Sequence, residues 1–354
     1  MTQGPGAMAS VLTALPAASQ GTPRRSLAAR VEERLLIPSY ASRWALAPIS
    51  AHRALSLPLQ LVGQSQRRSV QVGDTCVEAL GIGREKLIDP LLTRLFGELP
   101  VPRREGRRLT WSPGGLTHLE ADLVMAEVHR WMAPRFRRAG WLIIPRSVRW
   151  HGDLANVPPA EPSRSLLANL AKIRKHDFRL IQVSGADDWA EFFETMVEPQ
   201  ARVRHGSTAW LPSPAFHREI VRRGTLHLVL EKGVRVAGAC TIPNGDTLWI
   251  NLLGVRHGDP QLTQRGASVA TLALPLEWAR QQNYRRVDLG RTGPFVNDGL
   301  QKYKRSWGFV PVPDPLTHVT AVWLGSDAAR QVFRREPVLV EDGVGLRAYA
   351  GESL

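Results

Sequence analysis

Three features of the second half of the chain predict a mixed α/β fold, with antiparallel and parallel strands in one sheet. Two tight-turn signals, Lys232-Gly233 and Asn244-Gly245, separate three apolar segments and predict an antiparallel meander. A long apolar-periodic segment over 264–282 then leads to a short β-like run at 287–290, the pattern of a helical crossover between parallel strands. A meander followed by a crossover argues against a doubly wound parallel sheet and leaves helices on both faces of a mixed one.

Residues 1–28 are rich in Gly, Ala, Ser, Thr and Pro without amphipathic period, and read as a disordered tail. From 40 to 118, apolar stretches are broken by Gly, Pro and paired arginines, and no element order emerges. Leu123, Ala126, Arg130 and Trp131 fall near helical spacing, and 141–150 reads as a strand interrupted by Pro145. The Pro-rich stretch 155–165 is the expected linker. It divides the chain into a 29–160 domain and a 161–330 domain, followed by a 331–354 extension.

In the second domain a strand is expected at Phe178–Val183, then a helix opened by the Ser184/Asp187 spacing, carrying Trp189, Phe192, Phe193 and Met196, and ended by Pro199. Ser213-Pro214 opens another helix that Gly224 closes. Strands follow at Thr225–Glu231, 234–242 and Thr247–Val255. The 264–282 helix should kink or split at Pro275, which deletes one backbone hydrogen bond. A strand at 287–290, a helix at 298–307 and terminal strands at 309–312 and 319–323 complete the order.

The chain has 354 residues, 46 basic and 32 acidic side chains and a net charge of +14, which favours an anionic partner. Only six basic residues are lysines. No apolar run approaches the ~18 residues of a membrane span. The mildly apolar 7–18 segment has no preceding Lys or Arg, so no secretory signal is expected. Cys76 and Cys240 cannot build a disulfide framework or a zinc site, and no metal is expected. A cytoplasmic, reducing location is the simplest expectation. The absence of a G-x-S-x-G elbow, H-E-x-x-H or P-loop argues against hydrolase, zincin and nucleoside-triphosphatase chemistry.

Four short motifs occur in order: Val287-Asp288-Leu289-Gly290-Arg291, Asn297-Asp298-Gly299-Leu300, Tyr303-Lys304 and Trp307-Gly308. Together they resemble the C-terminal signature of FemAB-like acyltransferases, including the BioF2-like branch, within the GNAT superfamily. Arg202-Val203-Arg204-His205-Gly206 is similar to an R-x-R-H-G segment of that branch, and 165–177 to its basic segment leading into the catalytic domain. The resemblance covers about 140–325 and implies a GNAT-like fold, in tandem with a diverged N-terminal GNAT-like unit. It implies N-acyl transfer from acyl-CoA, a co-substrate, to an amine of a small-molecule or cell-envelope acceptor. The alternatives are an aminoacyl-tRNA donor, or a non-catalytic module binding an anionic ligand or RNA. Where CoA-dependent relatives carry a pyrophosphate loop, this chain has Gln264-Arg265-Gly266-Ala267-Ser268, with one glycine.

The expected catalytic residues are Lys304, Asp288 and His205. Lys304, in the family's aromatic-Lys position, would stabilise the developing oxyanion or steer a phosphate or carboxylate; otherwise it is a solvent-facing lysine. Lys304→Met should then lower turnover far more than stability. Asp288 would accept a proton or, as the simpler role, brace Arg291. His205 would be a general base or a structural hydrogen-bonder, in a loop with Arg204. Arg291 would grip phosphate or carboxylate, or pair with Asp288 or Asp298. Asn297 and Asp298 join the substrate-binding set. The donor would lie along Leu253, Gly254 and Val255, where the strands splay and Gly254 permits a bulge, with Arg265 and Gly266 at the following helix N-terminus. His151, His176 and His257 show no metal-ligand spacing, and Cys240 reads as a packed small residue.

Overall fold

The computed structural model describes residues 62–109, 112–206, 209, 211, 213–314 and 318–352. The expected tail and residues 29–61 of the expected first domain lie outside this set. In chain order come β1 (Val62–Val72), β2 (Thr75–Ile82), α1 (Glu85–Phe96), β3 (Arg103–Leu109), α2 (Pro113–Thr117), β4 (Leu123–His129), α3 (Ala133–Arg138), β5 (Leu142–Pro145) and β6 (Val148–Asp153). Next are α4 (Arg164–Lys175), β7 (Phe178–Val183), α5 (Ala186–Glu191), a π-helical turn (Phe192–Val197), α6 (Glu198–His205), α7 (Pro214–Arg223), β8 (Thr225–Glu231), β9 (Val234–Asn244) and β10 (Thr247–Val255). The chain continues through α8 (Pro260–Arg265), α9 (Ala267–Gln281), β11 (Arg286–Thr292), α10 (Gly299–Ser306), β12 (Val310–Pro313), β13 (His318–Leu324), α11 (Asp327–Arg335), β14 (Val338–Glu341) and β15 (Leu346–Tyr349).

The described chain forms two compact units interleaved in sequence. The first contains His151–Gly290 and Ser306–Gly308; the second spans the described part of Pro48–Trp150, Arg291–Arg305 and Phe309–Leu354. The contiguous division expected near 160 differs from this. The reason lies in the Pro-rich 155–165 stretch, which is tied down instead of linking: Leu154 and Val157 are buried, and the Arg280 guanidinium donates to both their carbonyls.

In the first unit the strands run β6-β11-β10-β9-β8-β7 within a mixed sheet. β7 to β10 are antiparallel neighbours, and β11 joins β10 in parallel after the α9 crossover. Lys232 and Gly233 turn β8 into β9 with φ of 52° and 83°, the left-handed pair a tight hairpin requires. One face packs Trp189, Phe192, Met196, Phe216 and Ile220 against Leu226, Leu228, Ile242 and Trp249. The opposite face packs Leu262, Ala267 and Ala270 against Val229, Ala237 and Val255. The helix expected to stop at Pro199 continues, because a proline in the first turn of α6 leaves its missing N–H where the α-helical pattern does not need it. The long helix breaks at Gly266, not at Pro275. Gly266 at φ 109° caps α8 and starts α9, while Pro275 is buried inside α9.

The second unit is a six-stranded mixed sheet, β3-β1-β2-β4-β13-β5, beside the β14–β15 hairpin. Residues 123–129 form a strand where spacing suggested a helix: Leu123–Val128 are consecutively buried, so the strand lacks the alternation that identifies a half-exposed one. β13, expected to end the second domain, lies between β4 and β5 instead. The expected extension is core: Val332, Phe333, Val338, Val340 and Tyr349 pack with Val77, Ile88 and Leu92.

Candidate functional site: a forked strand pair and a buried carboxylate

The α9 crossover places β11 beside β10 only briefly. Thr247, Leu248 and Trp249 pair with Arg286, Val287 and Asp288, and the pairing stops there, although β10 continues to Val255 and β11 to Thr292. The strands therefore part at Trp249/Asp288. The corresponding parallel pair of the second unit does not: β2 pairs with β4 from Ala79 through its last residue, Ile82. At the fork β10 is also irregular toward β9, with one extra residue between Ile250 and Leu253. The bulge thus precedes Gly254, which is back in register opposite Gly238.

Gly254 has a different use from the one expected. A Cβ there would lie 2.6 Å from the Met196 carbonyl carbon, and one at Gly238 would lie 2.8 Å from the Phe192 ring. Two facing glycines let the π-helical turn settle onto the sheet. Among the expected donor positions, Leu253 is half-buried, and the Val255 N–H donates to the Gln200 carboxamide, so that amide is already committed.

Asp288 is 1 % exposed. Its Oδ1 accepts from the Gly290 N–H at 2.7 Å, and its Oδ2 lies 3.2 Å from Nε2 of His151 on β6. The partner expected for it, Arg291, is held elsewhere. Sequence reasoning passed over His151 because its partner lies on a strand more than a hundred residues away; no local spacing could have revealed the pair.

Arg204 and His205 occupy the last turn of α6, not a loop, with Gly206 at φ 55° beyond them. Arg204 Nη2 donates to Ser268 Oγ at 3.4 Å, in the first turn of α9. The His205 side chain is outside the described set. Arg265 is engaged by Glu231, with Nε–Oε1 and Nη2–Oε2 both at 3.1 Å, and Glu231 also meets His176 Nδ1 at 3.1 Å. Gly266 packs closely, since a Cβ there would approach Lys172 Cβ at 2.9 Å.

The remaining expected residues fall in the second unit. Arg291 binds the carboxylate of Asp314, which is 1 % exposed and also accepts from Ser147 Oγ at 2.6 Å. Lys304 is 5 % exposed and not a surface lysine; its Nζ donates to the Arg291 carbonyl at 3.3 Å. Asp298 caps α10, accepting from the Leu300 and Gln301 N–H groups at 2.8 and 3.1 Å. Asn297 is exposed beside it.

Burial holds His227 neutral, its pKa lowered to about 4, with Nε2 at 2.9 Å from Thr241 Oγ1. Burial pushes the Cys240 thiol up, which removes it as a nucleophile at neutral pH. Among the described residues no cluster of three or more His, Cys, Asp or Glu is placed to hold a metal ion, and no helix is long and apolar enough to cross a membrane.

No family model and no curated protein matches the sequence. Among solved structures, the chain is similar to L-PGS from Bacillus licheniformis at 12 % identity and a TM-score of 0.39, covering 74 % of this chain and 82 % of that one. FemX aligns at 12 % identity and 0.39, over 76 % and 89 %. A GCN5-related N-acetyltransferase from Sphaerobacter thermophilus aligns at 16 % and 0.31, over 74 % and 75 %.

Proposed function

We propose that this chain is an N-acyltransferase that passes an acyl group from acyl-CoA to an amine. The observation that carries this reading is the fork at Trp249/Asp288. Strands that part end their shared ladder and open a gap between two main chains. A thioester lying between them would meet main-chain groups of both strands, and proximity with an oxyanion donor supplies much of the acceleration. The start of α9 suits the phosphates of such a donor, through its helix dipole and the exposed Arg204 that reaches Ser268. Arg265, already clamped by Glu231, has no part in this reading. Asp288 stands beside the fork in the first unit, while Lys304, Arg291, Asn297 and Asp298, in the second unit, keep the roles expected from their motifs.

Thermal shift with acetyl-CoA, free CoA and bulk aminoacyl-tRNA tests the donor. A ligand at 100 times its Kd stabilises the native state by about 2.7 kcal/mol. Acyl-CoA should raise the melting point with a shallow salt dependence. Stabilisation by aminoacyl-tRNA alone, weakening by roughly 10³ between about 50 and 200 mM salt, would overturn the CoA assignment.

A further inference from the structure

The geometry points to His151, held by Asp288, as the base that takes the proton from the attacking amine. This inference rests on the acyl-transfer reading above and assigns a catalytic residue that the sequence motifs do not contain.

The first argument is position. Asp288 is in register with Trp249, the last pair before the strands part, and in-register neighbours share a face of the sheet. Trp249 packs with Phe192 and Met196, whereas the start of α9 packs on the opposite face through Ala267 and Ala270. Asp288 and its histidine therefore lie across the sheet from the helix N-terminus that suits the donor phosphates. A thioester in the fork would be reached by its donor arm from one face and by the acceptor from the other.

The second argument is chemistry. Asp288 presents one oxygen to the Gly290 N–H and the other to His151 Nε2, and its side chain is only 2 % exposed. A buried carboxylate facing Nε2 keeps the imidazole proton on that nitrogen, which leaves the lone pair on Nδ1. The His151 side chain is 45 % exposed, so a substrate can reach it, while the carboxylate that orients it cannot be reached. Two other histidines of the first unit, His227 and His176, differ. His227 is fully buried, and the carboxylate facing His176 is already clamped by Arg265.

The step balances with acyl-CoA and a primary amine alone. The amine nitrogen attacks the thioester carbonyl, and the C–N bond forms as a proton passes from nitrogen to His151 Nδ1. Collapse of the tetrahedral intermediate breaks the C–S bond. The thiolate leaves and takes up the proton from the imidazolium, returning His151 to its starting form. Asp288 does not change protonation; it is the positioning residue.

The test uses the full chain, acetyl-CoA and a panel of primary amines, with thiol release as the readout. His151→Asn, which keeps a donor toward Asp288 but accepts no proton, should lower kcat by about 10²- to 10⁴-fold and leave the KM for acetyl-CoA and the melting point unchanged. Added imidazole should restore part of the turnover of His151→Ala. Nitrogen-15 spectra should show His151 as the Nε2–H tautomer, and Asp288→Asn should redistribute it. Wild-type turnover in both His151 variants would overturn the assignment and leave acyl transfer standing. A wild-type chain that neither binds acetyl-CoA nor releases thiol would overturn the acyl-transfer reading, and this assignment with it.

Discussion

The Asp314 carboxylate, almost fully buried, grips the Arg291 guanidinium through Nε and through Nη2 at 3.4 Å. The acids nearest Arg291 in sequence, Asp288 and Asp298, are occupied by His151 and by the α10 cap. Asp314 also accepts from Ser147 at 2.6 Å, so one buried carboxylate ties the end of β11 to the approach to β6.

Removing one partner of a buried ion pair leaves the other charge uncompensated. Asp314→Ala should therefore cost about 3–5 kcal/mol in denaturant unfolding. Asp298→Ala, which removes a helix cap, should cost only about 1 kcal/mol. Glu219→Ala, which removes the half-buried partner of the exposed Arg222, should stay within about 1 kcal/mol. Equal losses in all three variants would refute the ranking.

Gly254→Ala would push a methyl group into the Met196 backbone. Overpacking of this kind costs about 1–3 kcal/mol, and here it would also displace the π-helical turn from the fork. Gly114→Ala, where nothing lies within 4 Å, should be neutral or slightly stabilising. Calorimetry of the two variants, read beside acetyl-CoA binding, checks both expectations.

Stability should fall on mild acidification. His227 and His318 both have pKa values lowered to about 4, by burial first and, for His318, by the Arg84 charge as well. Between about pH 6.5 and 4 the unfolded chain binds more protons at these sites than the native one, so stability rises with pH in that window. It is fully present above it. The slope is about 1.4 kcal/mol per pH unit for each histidine. His227→Gln should flatten the dependence of the urea midpoint between pH 6.5 and 4; an unchanged slope would show that His227 does not titrate on unfolding.

Lys304→Met should lower stability as well as turnover. The expectation from sequence spared the fold, because the charge is needed only as the carbonyl becomes an oxyanion. Its burial and its bond to the Arg291 carbonyl change that: leaving a buried acceptor without this donor costs about 1–3 kcal/mol. Chemical denaturation beside thiol-release kinetics separates the two losses.

Local chemistry was legible residue by residue. The Lys232-Gly233 turn and the Ser213-Pro214 helix start depend on φ preferences and side-chain reach over two or three residues, and each is where the sequence places it. The Leu123–Val128 run misleads for the opposite reason. Covered on both faces, it carries no alternation, and its apolar spacing fits either element.

By itself the sequence determined the mixed α/β class and the order of the strands from Phe178 to Trp323, because hydrophobic period and turn chemistry are encoded over a few residues. Only the tertiary structure decided which sheet β13 joins, where β10 and β11 part, and which carboxylate meets which cation. Asp288 with His151 and Asp314 with Arg291 and Ser147 are choices made by strand neighbours distant in the chain. Burial then makes those choices binding, because a charged group removed from water requires a partner whose position no local spacing reveals.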